Sequence, residues 1–155
     1  MREVRRSALV PYTAQQMYAL VNDVARYPDF LPWCPATRVL AESADSITAT
    51  VEIARAGVRL ALTTRNSMRP GERIDMRLVE GPLQSFEGSW RFLPILAEPA
   101  APGAAPAARC CRIELAVRFE FGSAALGALF GPLFEASWDS LVDAFVERAR
   151  VVYGG

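Results

Sequence analysis

Leu133-Phe-Glu-Ala-Ser-Trp-Asp-Ser-Leu-Val-Asp-Ala-Phe-Val-Glu-Arg-Ala149 decides how this chain folds, because it brings a helical period after a long run of strand-like sequence. Leu126, Leu129, Phe130, Leu133, Phe134, Trp138, Leu141, Val142, Phe145, Ala149 and Val152 make one broad apolar stripe, with Glu135, Asp139, Asp143 and Glu147 on the other side. An unbroken helix from Ala124 to Tyr153 spans about 45 Å at 1.5 Å per residue, whereas a compact domain of this size has a radius of gyration of roughly 15 Å. Gly131-Pro132 is therefore the expected break or kink, with Pro132 in the first turn of the longer piece.

Upstream the period is two. Ile47, Ala49, Val51 and Ile53 alternate with polar neighbours, as do Val58, Leu60, Leu62 and Thr64; Ile74, Met76 and Leu78; Phe86, Gly88, Trp90 and Phe92; and Ile113, Leu115, Val117, Phe119 and Phe121. Strands with one apolar and one charged face form an antiparallel sheet wetted on one side. Trp90 and Phe92 are expected to point inward and Arg91 outward. Ala56-Gly57, Pro70-Gly71 and Gly81-Pro82 supply turns. The Ala/Pro-rich run at 97–108 has no periodicity and is expected to be a flexible hairpin extension.

At the start, Val4 to Val10 reads as a strand, and Thr13 with Gln16 forms a capping box that opens a helix of about 12 residues, closed by Pro28. Counting the first strand and Thr37 to Ala41, the sheet has about seven strands and, if flat, is about 30 Å wide at roughly 4.8 Å per strand. A helix with its side chains is only about 10–12 Å across. One long helix covers such a sheet only if the sheet curls around it, so the fold class is α+β, a curved antiparallel sheet around a long C-terminal helix. The inner face mixes large groups (Trp90, Phe92, Met76, Phe119) with small or polar ones (Gly88, Ala49, Thr64, Asn66), a lining suited to a small-molecule cavity.

Composition removes most enzyme classes. The 155 residues, expected to form one domain over 1–155, contain no histidine, and all 17 basic residues are arginine. Ser-His and Cys-His dyads, Schiff-base lysines and the commonest metal ligand are therefore absent. Cys34, Cys110 and Cys111 form no CxxC pair and read as packed small residues in a reducing compartment. No stretch approaches the roughly 18 apolar residues of a membrane span, and no signal-peptide pattern opens the chain, so a cytoplasmic protein is expected. The formal net charge is zero, yet residues 55–118 hold ten arginines against six acids. Those charges are expected to cancel largely across strands, leaving at most a weakly basic sheet face for a phosphate-rich partner.

Several runs also carry a resemblance. Tyr27-Pro-Asp-Phe-Leu-Pro-Trp-Cys34, Thr63-Thr-Arg-Asn66, Glu80-Gly-Pro-Leu83, Gly88-Ser-Trp-Arg-Phe92, Phe119-Glu-Phe121 and Val142-Asp-Ala-Phe-Val-Glu-Arg-Ala149 resemble, in order, motifs of the bacterial START-like coenzyme Q-binding family, which includes ribosome association toxins. The resemblance covers nearly the whole chain. It implies a helix-grip fold and a hydrophobic cavity for an isoprenoid quinone such as ubiquinone, carried without catalysis in support of respiration. It also implies two alternatives: a factor that binds the large ribosomal subunit and blocks subunit association, and a polyketide cyclase-like enzyme.

Under the carrier reading, the main one from sequence, the ligand cavity takes aromatic surface from Tyr27, Phe30, Trp33, Trp90, Phe92 and Phe119. Met76 and, on the final helix, Phe130, Phe134 and Trp138 complete the wall; Thr64 and Asn66 supply polar contacts, and the Gly131-Pro132 hinge gates entry. The partner is then an isoprenoid quinone or another apolar small molecule, held as a bound lipid and not as a cofactor, with transient contact at the inner membrane. The ribosome reading draws on Arg59, Arg65, Arg73, Arg77, Arg91, Arg112 and Arg118, and no DNA partner is expected. A cyclase needs a buried acid or base, and Asp139, Asp143 and Glu147 follow the outer stripe of the helix instead.

Overall fold

The computed structural model describes residues 2–96, 103 and 108–154, so the Ala/Pro run at 97–108 lies outside the described residues apart from Gly103 and Ala108. Strand β1 (Arg2–Val10) leads into helix α1 (Ala14–Asn22) and a 3₁₀ turn (Val24–Asp29). Six strands follow: β2 (Thr37–Glu42), β3 (Ser46–Arg55), β4 (Val58–Arg69), β5 (Arg73–Glu80), β6 (Leu83–Leu96) and β7 (Ala108–Phe121). Helix α2 (Ala124–Tyr153) closes the fold. The strands form one antiparallel sheet in the order β1-β7-β6-β5-β4-β3-β2, so the α1 segment carries the chain from one sheet edge to the other.

Period-two sequence becomes a two-faced sheet. Ile74, Met76, Phe86, Trp90, Phe92, Ile113, Leu115, Val117 and Phe119 are buried, while Arg77, Glu87, Arg91, Arg112 and Arg118 between them are exposed. Register slips lie between Val39 and Ala41, Thr63 and Thr64, and Leu83 and Ser85. Each bends its strand and adds twist, which helps the sheet curl around α2.

Helix α2 meets the sheet through two aromatic clusters three turns apart. Phe134 packs edge-on to Phe119, with centroids 4.7 Å apart, and also touches Phe86 and Phe121. Phe145 packs edge-on to Tyr27, Phe30 and Trp90 at 5.5, 5.3 and 5.4 Å. Both phenylalanines are fully buried. At the sheet edge, Arg2 and Arg6 of β1 reach Glu135 and Asp139 of α2 at 2.7 and 2.6 Å.

Two expectations about the helices are corrected. Capping of α1 is as read: Gln16 N–H donates to Thr13 Oγ1 at 3.1 Å, and Thr13 N–H to Gln16 Oε1 at 2.8 Å. However, α1 ends after nine residues, because the backbone leaves helical geometry at Asp23 and re-enters a 3₁₀ turn that accommodates Pro28. That turn holds Tyr27 and Phe30 against Phe145. Helix α2 does not break at Gly131-Pro132 but runs 30 residues through it. Pro132 and Ala128, whose carbonyl loses its intrahelical donor, both lie on the exposed side, where water can satisfy the carbonyl. Gly131 is buried under Arg2, whose guanidinium lies 3.0 Å from where a Cβ would stand, so this point is packed and not a hinge. The helix is longer than the sheet it covers. Leu129 and Val152, at its two ends, are therefore 55% and 48% exposed and do not join the buried stripe.

Phe145→Ala empties the centre of one aromatic cluster and is expected to cost about 3–5 kcal/mol of stability. Guanidinium unfolding monitored by circular dichroism checks this; an unchanged midpoint would contradict the packing described.

Candidate functional site

Between the two aromatic clusters the helix presents Trp138 and Leu141 to the sheet, and the space beneath them is not completely filled. A narrow cavity of about 60 Å³ remains, walled by Tyr27 and Trp33 from the α1–β2 segment, Thr64, Asn66, Met76 and Trp90 from the sheet, and Trp138 and Leu141 from α2. Val24, Ala49, Val51, Ile53 and Leu62 supply the aliphatic part of the wall. Val24 comes from the 3₁₀ turn, and the other four follow the period-two pattern of β3 and β4, but their share in the wall depends on how the sheet curls. The volume is far below the roughly 300–1,000 Å³ typical of ligand pockets.

Seven of the twelve expected cavity residues therefore meet: Tyr27, Trp33, Thr64, Asn66, Met76, Trp90 and Trp138. The other five lie elsewhere. Phe92 stacks on Trp90 and turns its other side to Tyr18 of α1, while Phe119 and Phe134 spend their surface on each other. Phe30 packs on Phe145 beneath the Arg148 guanidinium, which stands 5.1 Å from its ring centroid. Phe130 is half-buried in the first turns of α2. Which inward aromatics fill the core and which wall a space depends on ring packing, which alternation does not encode.

Polar groups in the wall are few and mostly satisfied. Thr64 Oγ1 donates to Asn66 Oδ1 at 2.9 Å, and Tyr27 donates its hydroxyl to the Val21 carbonyl. The Trp138 indole N–H is buried without a partner among the described residues. Tyr27 is the only ionisable side chain in the wall, and burial pushes its phenol well above the usual range. The cavity thus offers no group that exchanges a proton near neutral pH. Burial likewise raises the Cys34 and Cys111 thiols to about 11, as suits packed residues and not nucleophiles. The helix carboxylates face outward: Asp139 is held by Arg6, Glu147 by Arg150, and Asp143 is exposed.

Gly88 keeps what space there is. A Cβ at this position would lie 2.7 Å from Val117 Cγ1 and 2.8 Å from Met76 Cε, so the bare backbone lets the methionine lie between strands. The opposite side of the sheet is chemically different. Above β1, β7 and β6 lies a hollow of about 490 Å³ edged by Arg5, Arg6, Arg91 and Arg112, and a second of about 420 Å³ lies toward β5, edged by Arg73, Arg77 and Arg118. No helix among the described residues is long and apolar enough to cross a membrane, and no cluster of side chains there is arranged to hold a metal ion.

Comparison with known proteins fits this architecture. A family described as polyketide cyclase / dehydrase and lipid transport matches residues 10–146. The chain is 42% identical over 154 residues to the ribosome association toxin RatA of Vibrio cholerae serotype O1, covering 99% of each. It is 28% identical over 153 residues to the mitochondrial coenzyme Q-binding protein COQ10 homolog B of Xenopus laevis, covering 98% of this chain and 59% of that one. Among solved structures, the Zhui aromatase/cyclase from Streptomyces sp. R1128 matches with a TM-score of 0.80 at 20% identity over 99% of this chain and 98% of that one, a likeness of fold.

Gly88→Ala should displace Met76 into the cavity and cost about 1–3 kcal/mol, the usual range for overpacking. Denaturant unfolding reads the cost directly; a variant as stable as the parent would mean that Met76 and Val117 are not held as described.

Proposed function

The chain belongs to the polyketide cyclase/dehydrase and lipid transport family, and on that premise we propose that it is a non-catalytic factor that binds the large ribosomal subunit and blocks association of the subunits. The observation that carries this reading is the end-to-end similarity to ribosome association toxins, well above that to the coenzyme Q-binding relative. Two features of the molecule support it. Among the described residues the cavity wall holds no side chain able to act as acid or base near neutral pH, and the exposed sheet face has arginine-edged hollows suited to phosphate groups. A ribosomal partner also places the protein in the cytoplasm.

The test is sedimentation of the purified chain with separated ribosomal subunits. The protein should travel with the large subunit and not the small one, should be released as salt is raised, and should reduce the formation of whole ribosomes at stoichiometric ratios. Absence from the large-subunit fraction at low salt would refute the proposal.

A second reading keeps an apolar carbonyl ligand, such as a quinone, in the cavity. It is favoured by the unpaired Trp138 indole N–H, a donor within a wall otherwise made of aromatic and aliphatic groups. A buried donor without a partner costs about 1–3 kcal/mol, and a ligand carbonyl would recover that. The reading requires the wall to open well beyond about 60 Å³, which is why it ranks second although the sequence alone placed it first. Native mass spectrometry with lipid extraction decides: a stoichiometric quinone retained by protein purified from its own host would restore this reading, and an empty protein would remove it.

A further inference from the structure

The strand register shows a feature of the outer face that alternation alone conceals. Six residues stand directly opposite one another across six strands: Ser46, Ser67, Asp75, Ser89, Ala116 and Arg5. All but the last have short side chains, so they form the floor of a trough about 24 Å long at roughly 4.8 Å per strand. The hollows over β3–β4, β4–β7 and β1–β6 share these floor residues, joining into one depression across the sheet.

Two residues away on either side, the banks are arginine. On one bank Arg69 stands opposite Arg73, and Arg73 opposite Arg91, with Glu114 and Ser7 completing the row. On the other, Arg65 stands opposite Arg77, with Arg118 further along beyond Glu87. The banks are about 13 Å apart along the strands at roughly 3.3 Å per residue. Like charges directly opposite on neighbouring strands destabilise a sheet; Asp75 offsets Arg73 in two of these three pairs, while the rest of the repulsion favours a bound anion. The carboxylates nearby are already engaged: Asp75 by Arg73 at 2.8 Å, Glu114 by Arg112 at 3.1 Å and Glu87 by Arg118 at 3.6 Å. Arg65, Arg69, Arg77 and Arg91 are exposed and make no ion pair among the described residues.

We infer that this trough is a binding site for the phosphodiester backbone of single-stranded or looped RNA. The strand lies along the row of small side chains, the bank arginines contact its phosphates, and Ser67 and Ser89 hydrogen-bond to phosphate or ribose hydroxyl oxygens. No large apolar side chain stands on the floor or on these banks; the exposed Leu9, Leu93 and Ile95 lie beyond the Arg91 bank, so the trough itself offers phosphate contacts and no apolar anchor, which favours RNA over an anionic membrane. The site deepens the ribosome reading by naming the face and the chemical group through which the chain docks, and it rests on that reading for its biological target.

The experiment uses the full chain, a fluorescent 20-nucleotide RNA, purified large subunits, and vesicles containing phosphatidylglycerol. The double variant Arg69→Ala/Arg91→Ala is compared with Arg26→Ala/Arg55→Ala, which removes the same charge from exposed positions away from the trough. The trough variant should bind the RNA about tenfold or more weakly, and its slope of log affinity against log salt should fall by about 1.4 for two lost contacts. The control should stay near wild type. Relief of the opposed charges should leave the trough variant's melting temperature equal to or above wild type, which separates lost binding from lost folding.

RNA binding unchanged in the trough variant, equal loss in the control, or wild-type binding to vesicles but not RNA would each overturn the site. Large-subunit binding that survives Arg69→Ala/Arg91→Ala would overturn it while leaving the ribosome reading standing. Arginine-dependent RNA binding by a wild-type chain that ignores the large subunit would sustain the trough and overturn the ribosome reading.

Discussion

One helix has to cover the apolar face of seven antiparallel strands, and most of this structure follows from that mismatch of widths. The sheet curls, helped by bulges in its strands, until its inner side chains reach α2 from several directions. Phe134 and Phe145 are where they converge, each ringed by aromatic groups from the sheet or the α1–β2 segment. The Arg2–Glu135 and Arg6–Asp139 pairs then tie the β1 edge to the helix. These pairs are about half exposed, so each adds at most about 1 kcal/mol and serves to fix position more than to stabilise.

The same curl divides the chemistry of the molecule. Inward-facing rings pack so fully that about 60 Å³ is left, without an acid, a base or a metal-binding set among the described residues. Polar chemistry is confined to the other side, where arginines collect on the strands although the whole chain is formally neutral. A fold often able to enclose a ligand is here almost filled, and its outer surface is the better equipped for recognition. Zero net charge is a poor guide in this case, because the acids that balance the total lie partly on α2 and the arginines on the sheet.

Much of this was legible in the sequence. Period two in β3 to β7, the Thr13–Gln16 capping box and the apolar stripe of α2 are local patterns, and they carried the fold class and the inward turn of Trp90 and Phe92. Pro132 misled because the Ala128 carbonyl that it orphans is exposed, so water can satisfy it and the helix continues despite the proline; exposure of that face is a tertiary fact. Leu129 and Val152 misled because periodicity does not reveal where a helix outruns its sheet. The cavity was overdrawn for a related reason: Phe92, Phe119 and Phe134 do point inward, but ring against ring, which no spacing rule predicts. The charges of this face were expected to cancel largely, and Arg73, Arg112 and Arg118 do pair with Asp75, Glu114 and Glu87. Only the register shows Arg73 opposite two other arginines, because pairing partners are fixed by strand order and turn length and not by composition.

The central claim is that this sheet acts through its outer face while its inner face holds the fold together. A cryo-electron microscopy map of the chain bound to the large ribosomal subunit tests it most directly. The account predicts ribosomal RNA density lying against the outer face of β4 to β7, with α2 and the Tyr27–Trp33 segment turned to solvent. A map in which the chain docks through α2 or through that aromatic segment, with the outer sheet face free, would contradict it.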